Sequence, residues 1–129
     1  MKSINEFKAN GKIKDLVIKF FEARQVSHTA HLQTKSYAEH KALNSFYDDL
    51  LGLTDDFIET YQGQYGIITG YEAINIPKES DMVKYLEDFA DEIKSNRENL
   101  NKEDTHLQNI LDEFLSLTYK TLYKLKYLK

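Results

Sequence analysis

The sequence predicts an all-α protein, a bundle of four amphipathic helices with one long connection in its middle. Three observations carry that expectation. Apolar residues recur at i, i+3, i+4 and i+7 through four separate stretches, the spacing of helices that bury one face. The chain of 129 residues holds one proline and five glycines, too few breakers for a turn-rich β fold. Three of those five glycines and the only proline fall in one segment, between the second and third stretches.

The elements follow in order. Residues 1–11, with Lys2, Lys8, Asn10 and Gly11, read as a flexible arm. A first helix over about 12–33 buries Ile13, Leu16, Val17, Phe20 and Phe21. Gln33, Thr34 and Lys35 form a short break, with Ser36 as N-cap and Glu39 as its capping-box partner three residues on. The second helix runs to about Gln62 through Leu43, Phe46, Tyr47, Leu50, Phe57, Ile58 and Tyr61, with Gly63 as its C-cap. Residues 64–78 lose helical periodicity and are long enough to cross from one end of a bundle to the other. A third helix over about 80–98 turns Met82, Tyr85, Leu86, Phe89 and Ile93 inward. A fourth over about 103–127 buries Leu107, Ile110, Leu111, Phe114, Leu117, Leu122 and Leu125. Short outer links and a long middle crossover specify a ferritin-like four-helix bundle, with residues 1–129 as one domain.

Composition narrows the function. Hydrophobic residues make up 41% and charged residues 29%, ordinary for a globular chain, and no apolar run is long enough to span a membrane. The N-terminus lacks a signal-peptide core, since Lys12, Lys14 and Asp15 interrupt one, so a cytoplasmic location is expected. Absence of cysteine excludes disulfides, thiolate metal sites and a cysteine nucleophile. A net charge of −4 argues against a generic nucleic-acid binder. The basic end around Lys120, Lys124, Lys126 and Lys129 leaves DNA contact as a subsidiary expectation, although cations also favour a helix C-terminus.

The second helix carries a second face. At 100° per residue, Tyr37, His40, Asn44, Asp48, Leu51, Asp55 and Glu59 share a stripe beside the apolar one, and Gly52 adjoins it. Such a mixed stripe is unusual for a solvated face and points to a subunit interface, hence a homo-oligomer. Asp55 and Glu59 are neighbours at i and i+4 and can converge on a cation. His28 and His31 close the first helix near His40, while His40 and Asp55 lie about 22 Å apart along one helix, too far to share an ion within a chain. Antiparallel pairing of two second helices about a two-fold axis brings these ends together. Imidazole with carboxylate suits iron, zinc or manganese.

Here His28, His40, Asp55 and Glu59 reproduce the spacing H-x11-H-x14-D-x3-E, which resembles the Dps mini-ferritins. That resemblance implies a ferroxidase site across a dimer interface, the histidines from one subunit and the acids from the other. It also implies a dodecameric cage that oxidises and stores Fe(II) with peroxide. The sequence has Thr29 where that family carries Trp, leaving His31 as an alternative first ligand, and Asn44 where it carries Asp. Asn44, Asp48 and His106, the last in a single E-x-x-H word from Glu103, are subsidiary ligand candidates. The stretches HTAHLQTKSYAEHKALNSFYDDLLGLTDDFIETYQG and DTHLQNILDEFLSLTYKTLYKLKYL are also similar to small uncharacterised tailed-phage proteins, which implies a host-cytoplasm or virion location.

Each candidate has a plainer alternative. The histidines could cap helix ends without metal, and Asp55 and Glu59 could be surface charge. Three functional readings therefore stand: an iron-binding ferroxidase, a non-enzymatic phage assembly or virion protein, and a module that binds a host protein through the His40–Glu59 face.

Overall fold

The computed structural model describes residues 4–79 and 81–129. Four α-helices make up the fold: α1 Ile4–Gln33, α2 Tyr37–Tyr65, α3 Met82–Asn96 and α4 Thr105–Tyr127. A 3-10 turn, Arg97–Asn99, extends α3, and no strand occurs among the described residues. The all-α four-helix bundle expected from periodicity is therefore present.

Helix α1 packs along α2 and α3, and α4 packs along the same two, so α1 stands opposite α4. Directions follow from side-chain pairs. Lys19 and Glu22 of α1 meet Glu92 and Tyr85 of α3 in reverse order, so these helices are antiparallel. Glu87 meets Lys126 while Arg97 meets Asp112, which makes α3 and α4 antiparallel too. Gln64, near the end of α2, bonds Asp104 at the start of α4. Helices α2 and α3 consequently point the same way, and the connection between them travels the length of the bundle.

The core is built from all four helices, with Phe20, Phe46, Phe57 and Phe114 as its largest fully buried side chains. Phe20 touches one phenylalanine from each other helix: Phe57 at 5.7 Å edge-on, Phe89 at 6.2 Å edge-on and Phe114 at 4.0 Å face-on. Buried hydroxyls are satisfied locally, Ser27 on Ala23 O, Thr54 on Leu50 O and Thr118 on Phe114 O.

Three boundaries differ from expectation. Helical backbone starts at Ile4, so Asn10 and Gly11 sit inside α1 and most of the expected arm is helix; residues 1–3 lie outside the described residues. Helix α2 passes through Gly63 and ends at Gly66, whose φ of 99° and N–H bond to Gln62 O close the last turn. The crossover thus begins at Gly66 rather than at residue 64, and the expected start of the third helix at position 80 lies outside the described residues. Its first half is pinned to α1: the Lys14 ammonium donates to Thr69 O and Gly70 O, each at 3.4 Å, and Tyr71 packs on Phe21 with ring centres 5.8 Å apart.

Candidate functional site

The corner between α1 and α2 gathers three of the four histidines. Ser36 caps α2 as expected, its hydroxyl accepting from Glu39 N at 3.2 Å. The reciprocal half of the box is replaced, since Ser36 N donates to Thr34 Oγ1 at 3.1 Å. This short link sets His31 and His40 face to face, ring centres 3.7 Å apart and planes 19° from parallel. Each ring reaches the other's backbone: His31 Nδ1 lies 2.7 Å from His40 O, and His40 Nδ1 lies 2.8 Å from His31 O. A carbonyl oxygen only accepts, so both Nδ1 atoms carry the proton. His31 O belongs to the last turn of α1, where carbonyls lack helical partners, so His40 acts there as a C-terminal cap. His31 is buried, whereas His40 is half-buried.

His28 stacks on Tyr47 with centres 4.5 Å apart and stands 6.1 Å from the His31 ring. Tyr47 carries the network onto α2: its hydroxyl donates to Asn44 Oδ1 at 2.7 Å, and Asn44 Nδ2 approaches Asp48 Oδ2 at 3.4 Å. Tyr47 was expected only as core; its role in holding His28 follows from ring geometry that helical spacing does not encode.

Beyond this corner the stripe on α2 is open to solvent. Tyr37 is 74% and Leu51 43% exposed, and Asp48, Gly52, Asp55 and Glu59 are exposed as well. A Cβ built on Gly52 would meet nothing within 4 Å. Among the described residues, no three His, Asp or Glu side chains stand close enough to hold a metal ion within the chain. The corner histidines and the Asp55–Glu59 pair are thus separate features of the chain, as the helix spacing requires.

His106 belongs to neither. Its Nε2 donates to Gln64 Oε1 at 2.7 Å, and Gln64 Nε2 donates to Asp104 Oδ1 at 2.9 Å. Tyr65 OH donates to the other oxygen of Asp104, a buried carboxylate. Tyr65's hydrogen bond is the main reason the Asp104 carboxyl is held below the usual carboxylate range; burial opposes it, and Gln64 and His106 add to the lowering. A second polar cluster joins α1 to α3, where Tyr85 OH donates to Glu22 at 2.6 Å beside Lys19. Burial, followed by the Glu22 hydrogen bond, pushes the Tyr85 hydroxyl up. Both clusters join residues about forty or more positions apart, so no local signal announces them.

Residues 31–125 match a family described as a family of unknown function, DUF5856. An uncharacterised 14.6 kDa protein from the mobD–ri intergenic region of Enterobacteria phage T4 is 32% identical over 106 residues, covering 80% of this chain and 79% of that protein. No solved structure matches the chain significantly. The similarity is to phage-type proteins, and neither match is described as a mini-ferritin. The family match begins at His31 and leaves His28 outside it. No helix among the described residues is long and apolar enough to cross a membrane.

Proposed function

Since the chain belongs to the DUF5856 family of unknown function, we propose that it is a non-enzymatic assembly protein of phage type whose working surface is the exposed face of α2. The observation that carries this reading is the stripe from Tyr37 to Glu59. It exposes Tyr37 and Leu51 in line and leaves open space at Gly52. A glycine inside a helix costs about 1 kcal/mol relative to alanine, and among the described residues nothing stands within 4 Å of where a Cβ on Gly52 would lie to require it. Close approach of another backbone would.

The occupant is a second copy of this chain. Along the stripe, His40 lies toward the N-terminal end of α2 and Asp55 and Glu59 toward the other, with Asp48 between them. Two such helices crossing antiparallel about a two-fold axis set each His40 end against the partner's Asp55–Glu59 end, with Leu51 and Gly52 near the crossing. Native mass spectrometry and sedimentation equilibrium test this directly. The wild type should form a dimer or a larger closed oligomer, and Leu51→Glu should be a monomer with unchanged helicity. A wild type that is monomeric at high micromolar concentration overturns the reading.

A second reading has one observation in its favour. Both Nδ1–H groups of His31 and His40 are fixed on carbonyls, which leaves Nε2 as the ligating nitrogen, the usual way a metal-binding imidazole is oriented. In a two-fold dimer, His28, His31 or His40 of one subunit and Asp55 and Glu59 of the other would hold iron, with zinc or manganese as substitutes. Iron bound there would be a substrate for oxidation by peroxide. Titration calorimetry with Fe(II) under nitrogen discriminates: Asp55→Asn with Glu59→Gln should abolish uptake while leaving the histidine corner intact. Absence of uptake by the wild type removes this reading and leaves the assembly role standing.

A further inference from the structure

The last three turns of α4 carry a tyrosine stripe that the bundle does not use. Tyr119, Tyr123 and Tyr127 recur at four-residue spacing on one side of the helix, 45%, 55% and 71% exposed. Exposed apolar surface gathered on one side of a helix is a place to look for a contact. The Tyr123 and Tyr127 rings stand 5.9 Å apart, tilted by 41°. Facing them across a groove of about 340 Å³ are Glu87 and Asp91 of α3, with Lys126 at its edge.

The chemistry of this groove selects cations. Its two ends already hold them: the Lys94 ammonium lies 5.1 Å from the centre of the Tyr119 ring, and Lys126 pairs with Glu87 at 3.2 Å. Between them, the Asp91 carboxylate feels the Lys94 ammonium one turn away but makes no hydrogen bond or ion pair among the described residues, and no described cation lies over the rings of Tyr123 and Tyr127. A negative ring face together with a carboxylate favours a guanidinium, which stacks on the aromatic plane while donating to the carboxylate. A phosphate seated on the rings of Tyr123 and Tyr127 would meet the Asp91 carboxylate in the same groove, which disfavours a nucleic acid there.

We propose that the α3–α4 groove docks an arginine-bearing segment of a partner protein, with guanidinium on Tyr123 and Tyr127 and its N–H groups on Asp91. The residues lining this groove belong to α3 and α4, and none is part of the exposed stripe of α2.

An amide NMR titration with a short peptide of alternating glycine and arginine tests the proposal on the full chain. Saturable shifts confined to residues 87–91 and 119–127 are expected. Tyr123→Ala with Tyr127→Ala should weaken binding about tenfold, Asp91→Asn should weaken it clearly, and Tyr123→Phe should keep most of it, since the ring face remains. Equal binding by the alanine and wild-type chains overturns the proposal, as do shifts spread over the acidic end of α2. Oligothymidylate moving these residues where the arginine peptide does not would also overturn it, in favour of a nucleic-acid surface.

Discussion

The ring of Phe20 lies flat on that of Phe114, centroids 4.0 Å apart and planes 9° from parallel. These residues belong to α1 and α4, the diagonal helices of the bundle, so the stack joins elements that do not otherwise pack side by side. Edge contacts from Phe57 and Phe89 complete the cluster around Phe20. Phe20→Ala therefore removes a partner from all three other helices at once. A loss of about 3–5 kcal/mol is expected on urea unfolding, the range for deleting a large buried aromatic side chain. A loss below about 1 kcal/mol would show that the helices close over the vacancy.

That cluster was largely legible in the sequence, because Phe20, Phe57, Phe89 and Phe114 each fall on the apolar stripe of their helix. The Ser36 cap was legible for the same reason, being a local pattern of side chain and spacing. The end of α2 was not. Gly63 and Gly66 both suit a C-cap, and the choice rests on which one takes positive φ, a matter of where the crossover must turn. Asn10 and Gly11 weaken a helix locally, yet backbone continuity carries α1 past them. At the candidate site, the sequence placed the histidines at one corner but could not show that His31 and His40 bond each other's carbonyls, since that depends on the angle between two helices.

The histidine clasp makes a quantitative expectation. His31→Ala removes a buried ring and a hydrogen bond and should cost about 2–4 kcal/mol. His40→Ala leaves His31 O uncapped and should cost about 1–2 kcal/mol. Because the bonds are reciprocal, the double variant should lose less than the sum of the singles, by about 0.5–1.5 kcal/mol in a thermodynamic cycle. Strict additivity would mean that the two rings act independently.

Asp104 ties stability to pH. Its folded carboxyl ionises more readily than the unfolded one, chiefly through Tyr65. The stabilisation is thus complete above the ordinary aspartate range and is lost as pH falls through the depressed folded value. Unfolding midpoints measured from neutral pH down to about pH 2 should show this decline in the wild type. Asp104→Asn should lower stability at neutral pH by about 1.5–3 kcal/mol, the cost of losing hydrogen bonds to a charged group, and should flatten the acid limb. Tyr65→Phe should flatten it in part. An acid limb of the same steepness in Asp104→Asn would place the pH dependence on other carboxylates.

Gly52 separates stability of the chain from association between chains. It lies in the interior of α2 with open space where a Cβ would stand, so Gly52→Ala should stabilise the isolated chain by about 1 kcal/mol through helix propensity alone. At a helix–helix crossing the same methyl group would hold two backbones apart. The variant is therefore expected to melt higher as a monomer and to associate less tightly than the wild type. Sedimentation equilibrium alongside thermal unfolding at low concentration reads both effects in one sample. A variant that gains stability and keeps full association would put the crossing elsewhere on α2. One that gains no stability would mean that Gly52 meets a constraint within its own chain.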